Sequence, residues 1–209
     1  MRSQSISLLV AGMSLAVVAA AQVGNHSGLL DPNLAERAEI IALPGGSAPV
    51  ADAIIGARPV LKMSDLDTAL APLLDDAARK TLYSRLFRQI NLNTASRDEI
   101  MLIPEMSARM AHEFEEYRPY TSLTQFRREI GKYVDADEVA RLEQYVFVPM
   151  NLNSASSEDF LTIPGMSNRM VHEFEEYRPY TSMEQFRREI GKYVDADEVA
   201  RLESYVTID

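Results

Sequence analysis

Apolar side chains near the end of the chain recur at steps of three and four residues, which places them on one face of an α-helix. The recurring positions are Met166, Met170, Phe174 and Tyr177. Polar residues fill the positions between them, so the pattern predicts an amphipathic helix over residues 168–177. Pro179 ends this helix, because proline cannot continue the helical hydrogen-bond pattern.

Capping residues and turns divide residues 151–206 into four short helices. Two serines have the spacing of capping boxes: Ser156 with Asp159, and Ser182 with Gln185. Asp195 caps the last helix. Proline or glycine interrupts the helical pattern at two turns, residues 163–167 and 190–192. The predicted plan is helix, turn, helix, loop, helix, turn, helix, with strand-like alternation confined to the short connectors near residues 89–90 and 147–148.

The same plan occurs three times, at an offset of 60 residues. Residues 91–146 and 151–206 share 43 of 56 positions without a gap. A fainter copy places Leu43–Gly46 under Ile163–Met166, and Arg58-Pro59 under Arg178-Pro179. We therefore predict an all-α fold of three tandem helical units, the first degenerate. We call residues 31–90 unit one, residues 91–150 unit two and residues 151–209 unit three. The helices predicted in unit one span residues 34–43, 50–58, 65–71 and 76–87.

The first residues have the pattern of a secretory signal peptide. Arg2 precedes an apolar run over residues 6–21 that ends in three alanines, a small-residue cleavage pattern. The run is shorter than the roughly 20 apolar residues of a membrane-spanning helix. We expect a signal peptide over residues 1–21, a flexible lead over residues 22–30, a periplasmic or secreted protein, and no stable membrane span after cleavage.

Composition and charge narrow the functional classes. The chain has 209 residues, of which 46% are hydrophobic and 25% are charged, as in ordinary globular proteins. It contains no cysteine, which excludes disulfides, thiolate metal sites and a cysteine nucleophile. The net charge is −10, and residues 91–146 alone carry 7 basic against 11 acidic side chains. On average this charge repels a phosphate backbone, although local basic patches can override the average.

Unit three contains four motifs in a fixed order: Asn-Leu-Asn-Ser-Ala-Ser at 151–156, Ile-Pro-Gly-Met at 163–166, Tyr177-Arg178 and Ile190-Gly191. Together they resemble the helix-hairpin-helix domain of the competence DNA-uptake (ComEA-type) family. The resemblance covers residues 91–206. It implies a domain outside the cytoplasmic membrane that binds double-stranded DNA without sequence preference. The backbone N–H groups of a glycine turn at a helix start would hold a phosphate, and basic residues would hold its neighbour.

Carried over by position, this resemblance assigns a phosphate cradle to the first turn of each unit. The cradles are Gly165, Met166, Ser167 and Arg169 in unit three; Glu105, Met106, Ser107 and Arg109 in unit two; and Gly45, Gly46 and Ser47 in unit one. Weaker help is expected from Lys132 and Lys192. The sequence departs from the family where Glu105 replaces the first glycine and where serines replace the second. The alternative is that the turns are only compact connections between short helices.

Two other residue groups have a functional and a structural interpretation. His112 and His172 each precede a glutamate by four residues, a spacing compatible with a metal, but a solvated helix face is favoured since no further ligand is nearby. The pairs Arg127-Arg128 and Arg187-Arg188 are either basic contact points or partners of nearby glutamates, and the second interpretation is favoured. No catalytic motif occurs, so a non-enzymatic protein without cofactor or small-molecule substrate is expected.

Two functional hypotheses remain open. The first is a module that binds duplex DNA through the turns. The second is an acidic structural or protein-interaction module of the cell envelope. Helix-hairpin-helix repeats without a phosphate cradle serve as packing modules, and an extrinsic lumenal subunit family of photosystem II is similar in that respect. A basic stripe joining the Pro-Gly turns favours DNA, whereas an acidic or apolar stripe favours a protein partner.

Overall fold

The computed structural model describes residues 22–208, which form twelve helices. The helices are α1 (Arg37–Ala42), α2 (Ala48–Gly56), α3 (Met63–Leu70), α4 (Asp76–Tyr83), α5 (Arg97–Met101), α6 (Ala108–Glu116), α7 (Leu123–Ile130), α8 (Ala136–Glu143), α9 (Ser157–Phe160), α10 (Asn168–Glu176), α11 (Met183–Ile190) and α12 (Ala196–Glu203). Four helices fall in each unit, which confirms the all-α fold of tandem helical units. The predicted signal peptide, residues 1–21, lies outside the described residues.

Short parallel strand pairs join the start of each unit to its end. Strand β1 (Ile90–Asn91) pairs with β2 (Val146–Phe147), and β3 (Met150–Asn151) pairs with β4 (Val206–Thr207). In unit one a single parallel bridge joins Leu30 to Leu86. The connectors with strand-like alternation thus contain β1 and β2. Each unit is a loop of four helices whose two ends are hydrogen-bonded together.

In each unit, one asparagine side chain is hydrogen-bonded to the backbone of a residue near the middle of the unit. In unit two, the Asn93 amide group accepts from Tyr120 N at 2.6 Å and donates to Tyr120 O at 2.9 Å. Asn33 makes the same pair of bonds to Val60, and Asn153 makes them to Tyr180. The bonds recur at an offset of 60 residues even in unit one, where sequence identity is faint.

In each unit an arginine also donates hydrogen bonds to backbone carbonyl groups on either side of that asparagine. Arg118 donates to the carbonyl oxygens of Leu92 and Ala95 at 2.6 and 2.7 Å. Arg58 and Arg178 bind the equivalent carbonyls in units one and three. Each of these arginines precedes a proline in a cis peptide bond. The arginine, which belongs to the Tyr-Arg motif in units two and three, therefore links the end of the second helix of each unit to the start of the unit.

Local hydrogen bonds account for the two largest differences between the observed and the predicted helix ends; the ends of α2 and α3 differ by one or two residues. Helix α1 begins at Arg37 rather than residue 34, because the amides of Leu34 and Ala35 bond to Asp31 O in a preceding turn. Helix α4 ends at Tyr83 rather than residue 87, since Leu86 has joined the bridge to Leu30. Strand pairing at the unit ends thus competes with the last helical turn.

The two predicted capping boxes have different outcomes. Ser156 and Asp159 form the reciprocal box. Ser182 caps α11 by accepting from Gln185 N at 3.2 Å, but the Gln185 side chain bonds to Thr181 instead of returning to Ser182. The prediction of the second capping box is therefore wrong for the bond between the Gln185 side chain and the Ser182 backbone. The Gln185 side-chain oxygen accepts instead from both the amide and the hydroxyl of Thr181.

Residues 22–30 make specific contacts instead of forming a flexible lead. Val23 forms an antiparallel bridge with Phe147 and is 3% exposed. Gly24 N donates to Val146 O at 3.1 Å. Backbone pairing with a residue 124 positions later in the chain accounts for this order, and such pairing leaves no periodic pattern in the segment itself.

The units pack in series, and unit one also reaches unit three. The ring centres of Phe87 in unit one and Tyr145 in unit two are 5.0 Å apart, and those of Phe147 in unit two and Tyr205 in unit three are 4.5 Å apart. The Arg88 guanidinium, 1% exposed, bonds to the hydroxyls of Ser204 and Tyr205 and lies 4.4 Å from the Tyr205 ring centre. This packing brings the start of unit one against the first turn of unit three.

Candidate functional site

The first turns of the three units share one backbone conformation. The residue after the turn proline has a left-handed backbone in each unit: Gly45 with φ 81°, Glu105 with φ 61° and Gly165 with φ 73°. Glycine adopts this region without steric cost, whereas Glu105 has a Cβ atom that opposes it. The glutamate side chain is exposed, so it places a carboxylate at the turn of unit two.

Several predicted phosphate donors already have partners within the turns. The amide of the next residue bonds back to the residue before the proline: Gly46 to Leu43 O at 2.8 Å, Met106 to Ile103 O at 3.1 Å and Met166 to Ile163 O at 3.0 Å. The three serines that follow cap helices α2, α6 and α10: Ser47 accepts from Val50 N, Ser107 from Met110 N and Ser167 from Met170 N. These groups complete the turns and the helix starts.

Unit one lies against the turn of unit three. A Cβ atom built on Gly165 would be 2.8 Å from Leu34 Cδ1. Beneath the turn, the buried Arg201 donates to Pro164 O at 2.8 Å and pairs with Glu198 at 2.7 Å. Arg141 makes the same two contacts in unit two, to Pro104 and Glu138. The sequence interpretation missed these arginines, although their identical place in both copies was a visible signal.

The predicted basic contacts divide into paired and unpaired side chains. Lys132 pairs with Glu129 and Lys192 with Glu189, and each ammonium also lies 4.8 Å from a tyrosine ring centre. Lys132 and Arg128 lower the pKa of Glu129 through hydrogen bonds to its carboxylate. Arg169 is exposed and has no ion-pair partner within residues 22–208. Arg109 is exposed and lies 5.9 Å from the Tyr133 ring centre.

The adjacent arginine pairs are bound to glutamates, as the favoured interpretation stated. Arg127 pairs with Glu143 at 2.5 Å, and Arg128 pairs with Glu129 at 2.6 Å. Arg187 and Arg188 make the equivalent pairs with Glu203 and Glu189. These pairs leave little unbalanced positive charge on α7 and α11.

The histidines lie on exposed helix faces beside their glutamates. His112 Nε2 is 3.4 Å from Glu116, and His172 Nε2 is 3.6 Å from Glu176. No group of three candidate metal ligands occurs in the part of the chain that the structure describes.

Charge along the first turns follows no basic stripe within the described residues. Unit one has Pro49 at the position that Arg169 holds in unit three, so its glycine turn has no adjacent cation there. Unit two combines Arg109 with the Glu105 carboxylate in one turn. Only unit three combines a glycine with an unpaired arginine, Arg169. The three predicted cradles therefore differ in charge from one unit to the next.

A feature that the sequence interpretation missed lies at the second hairpin of units two and three. An open groove of about 430 Å³ runs between α7 and α8, and one of about 410 Å³ runs between α11 and α12. Both are lined by small apolar residues, a glycine, an aspartate and an arginine–glutamate pair: Gly131, Val134, Asp135, Ala136, Val139, Ala140, Arg127 and Glu143 in unit two, and Gly191, Val194, Asp195, Ala196, Val199, Ala200, Arg187 and Glu203 in unit three.

The two grooves have the same residues because the underlying stretches are nearly identical. Residues 112–143 and 172–203 differ at only two positions, 123/183 and 124/184. Unit one has Arg79 where unit two has Val139, and Arg79 pairs with Asp67 and Asp76 on this face. The near-identity of the two stretches was the sequence signal for a duplicated surface.

None of the helices within residues 22–208 is long and apolar enough to cross a membrane. Comparisons with protein-family models, with curated proteins and with solved structures find no match to this chain.

Proposed function

We propose that this chain is a non-enzymatic interaction module that presents one protein-docking groove twice. The observation that carries the proposal is the pair of open grooves with identical lining in units two and three. Their lining combines small apolar side chains with an aspartate and a salt-bridged arginine and glutamate. Apolar surface with a polar rim is typical of protein interfaces.

Charge around the grooves indicates the chemistry of the partner. Asp135 caps α8, and Asp137 and Glu138 follow in its first turn; α12 repeats this arrangement. With a net charge of −10, the module suits a partner that inserts an apolar side chain and has basic residues beside it. Because both grooves belong to one chain, a partner with two such segments gains affinity through linkage.

The state of the predicted phosphate cradles also supports a protein partner. The amides of Met166, Met106 and Gly46 bond within their own turns, and Lys132 and Lys192 are paired with glutamates. Binding to DNA draws most of its free energy from cations that neutralise phosphates, so paired cations contribute little. The cell-envelope location proposed for this module depends on the signal peptide pattern of residues 1–21 and is tested by sequencing the N-terminus of the exported protein.

Non-specific duplex DNA binding is the second candidate, and one observation favours it. Arg169 is exposed, has no ion-pair partner within the described part of the chain, and follows the left-handed Gly165 turn by four residues. This is the arrangement that the ComEA-type resemblance implies for unit three.

Groove variants test the main proposal. Ala140→Lys and Ala200→Lys each place a long charged chain in one groove while keeping a good helix former on α8 or α12. We expect a partner identified by affinity capture to bind each single variant on the order of tenfold or more weakly and to be lost from the double variant, because one of two linked sites remains in each single variant. Equal binding of wild type and the folded double variant contradicts the proposal.

A labelled duplex in a salt series tests the second candidate in parallel. DNA binding through unit three predicts affinity that falls steeply with salt and is lost in Arg169→Ala. We expect no such binding from the wild-type chain. Salt-sensitive binding that survives in the groove double variant and disappears in Arg169→Ala would establish the DNA function instead.

A further inference from the structure

The outer edge of β2 in unit two is filled by the chain's own beginning. One edge of β2 pairs with β1, and the other pairs antiparallel with Val23. Two backbone hydrogen bonds hold this segment: Gly24 N donates to Val146 O at 3.1 Å, and Val148 N donates to Gln22 O at 2.8 Å. Residues 22–24 thus act as a short third strand.

Among residues 22–208, no strand lies beside the same edge in unit three. The positions equivalent to Val146 O and Val148 N are Val206 O and Ile208 N, and neither has a backbone partner among residues 22–208. The inner edge of β4 is used, since Met150 N donates to Tyr205 O and Leu152 N donates to Thr207 O, both at 2.9 Å. Considering only the part of the chain that the structure describes, β4 therefore has one paired edge and, on the other, one donor and one acceptor without a backbone partner.

The helix beside the open edge is a copy of the helix beside the filled one, whereas Gln89, whose side chain donates to Gly24 O at 2.8 Å, is replaced by Pro149 in unit three. Residues 136–143 of α8 and residues 196–203 of α12 have the same sequence. In unit two the bound segment passes close to the end of α8, where a Cβ atom built on Gly24 would be 1.7 Å from Glu143 O. Only glycine allows this approach. The equivalent carbonyl in unit three belongs to Glu203, so a segment in the same register also needs glycine there.

We propose that the outer edge of β4 is a receptor for an extended, glycine-containing segment of a partner protein, which binds as residues 22–24 bind to β2. The partner strand runs antiparallel to β4, accepts from Ile208 N–H, donates to Val206 O and places its glycine against Glu203 O. Recognition by strand addition takes affinity from main-chain hydrogen bonds and specificity from the side-chain positions. The proposal rests on different observations from the two grooves, although the sites adjoin: the Glu203 side chain lines the groove of unit three, whereas its backbone carbonyl would face the added strand.

The probe is a labelled synthetic peptide with the sequence of residues 22–30, Gln-Val-Gly-Asn-His-Ser-Gly-Leu-Leu, titrated into the full chain and followed by fluorescence anisotropy. We expect saturable binding at one site. The peptide with valine in place of its first glycine is expected to bind at least about tenfold more weakly, because its side chain meets a backbone carbonyl.

Receptor variants separate the backbone donor from the side chain. Ile208→Pro removes the N–H group and is expected to lower peptide affinity on the order of tenfold, whereas Ile208→Ala keeps the donor and is the matched control. An amide NMR spectrum of the full chain reports the location, with shifts expected at residues 206–208.

Four results would overturn the proposal. They are equal peptide affinity for the proline and alanine variants, no binding by the folded wild-type chain, shifts at residues 146–148 that indicate displacement of the chain's own segment, and self-association that disappears in Ile208→Pro while the peptide does not bind. The last result would assign the edge to a second copy of the chain.

Discussion

Glu105→Gly is expected to stabilise the protein, because glutamate occupies a backbone conformation that its equivalents in units one and three fill with glycine. Glu105 has φ 61°, against 81° for Gly45 and 73° for Gly165. The turn geometry is therefore common to all three units, and unit two maintains it against the steric preference of an L-residue with a Cβ atom.

Two opposing effects set the magnitude. A non-glycine residue in the left-handed region costs about 1–2 kcal/mol. Glycine in turn gives the unfolded chain more conformational freedom, which reduces the gain by about 0.4–1 kcal/mol. The net increase expected in the free energy of unfolding is about 0.5–1 kcal/mol. Glu105 makes no ion pair within the described residues, so removing the carboxylate adds little to this balance.

Equilibrium urea unfolding of wild type, Glu105→Gly and Glu105→Ala measures the effect. The alanine variant removes the same carboxylate but keeps the Cβ atom, so we expect it to remain within about 0.5 kcal/mol of wild type. A glycine variant that is no more stable than the alanine variant would refute the reasoning, since the gain must come from the backbone alone.

Three further predictions concern packing and ionisation. Gly165→Ala is expected to lower the free energy of unfolding by about 1–2 kcal/mol, because the residue is left-handed and its new Cβ meets Leu34; urea unfolding in a Leu34→Ala background should recover the packing part of this loss. The pKa of Glu129 lies below its usual value because Lys132 and, to a smaller extent, Arg128 donate hydrogen bonds to its carboxylate. The contribution of Glu129 to stability is therefore complete above the ordinary pKa of 4.5 and is lost as the pH falls through the lower folded-state pKa. In a ¹³C NMR titration of Lys132→Met we expect the Glu129 pKa to return toward 4.5, and an unchanged pKa would contradict the pairing. Burial raises the pKa of Tyr205 to about 12. The contribution of Tyr205 to stability is therefore complete below the ordinary pKa of 10.0 and is lost as the pH rises through about 12. In an ultraviolet titration we expect this tyrosine to ionise together with alkaline unfolding, and ionisation near 10.0 in the folded protein would contradict the prediction.

The sequence alone determined the helical units, because the signals that specify them are local. Apolar steps of three and four residues, serine and aspartate caps, and proline or glycine turns all act within a few residues of the element they define. The duplication was equally visible, and the 60-residue offset led to the faint copy in unit one. Ser156 and Asp159 close their capping box as predicted, since both partners lie within one helical turn.

Lys132 and Lys192, which were expected to help bind phosphate, have local partners, because Glu129 and Glu189 lie three residues earlier in the chain. Only the tertiary structure decided which distant segments of the chain meet at the predicted cradle of unit three and at β2. Leu34 reaches Gly165 across 131 positions of the chain, and no periodic pattern in either segment indicates that contact. The same holds for Val23, whose backbone bridge to Phe147 lies in a segment that the sequence predicted to be a flexible lead. Helix formation depends on neighbours along the chain, whereas these contacts depend on how whole units stack, and stacking is set by the shapes of surfaces that exist only after the units have folded.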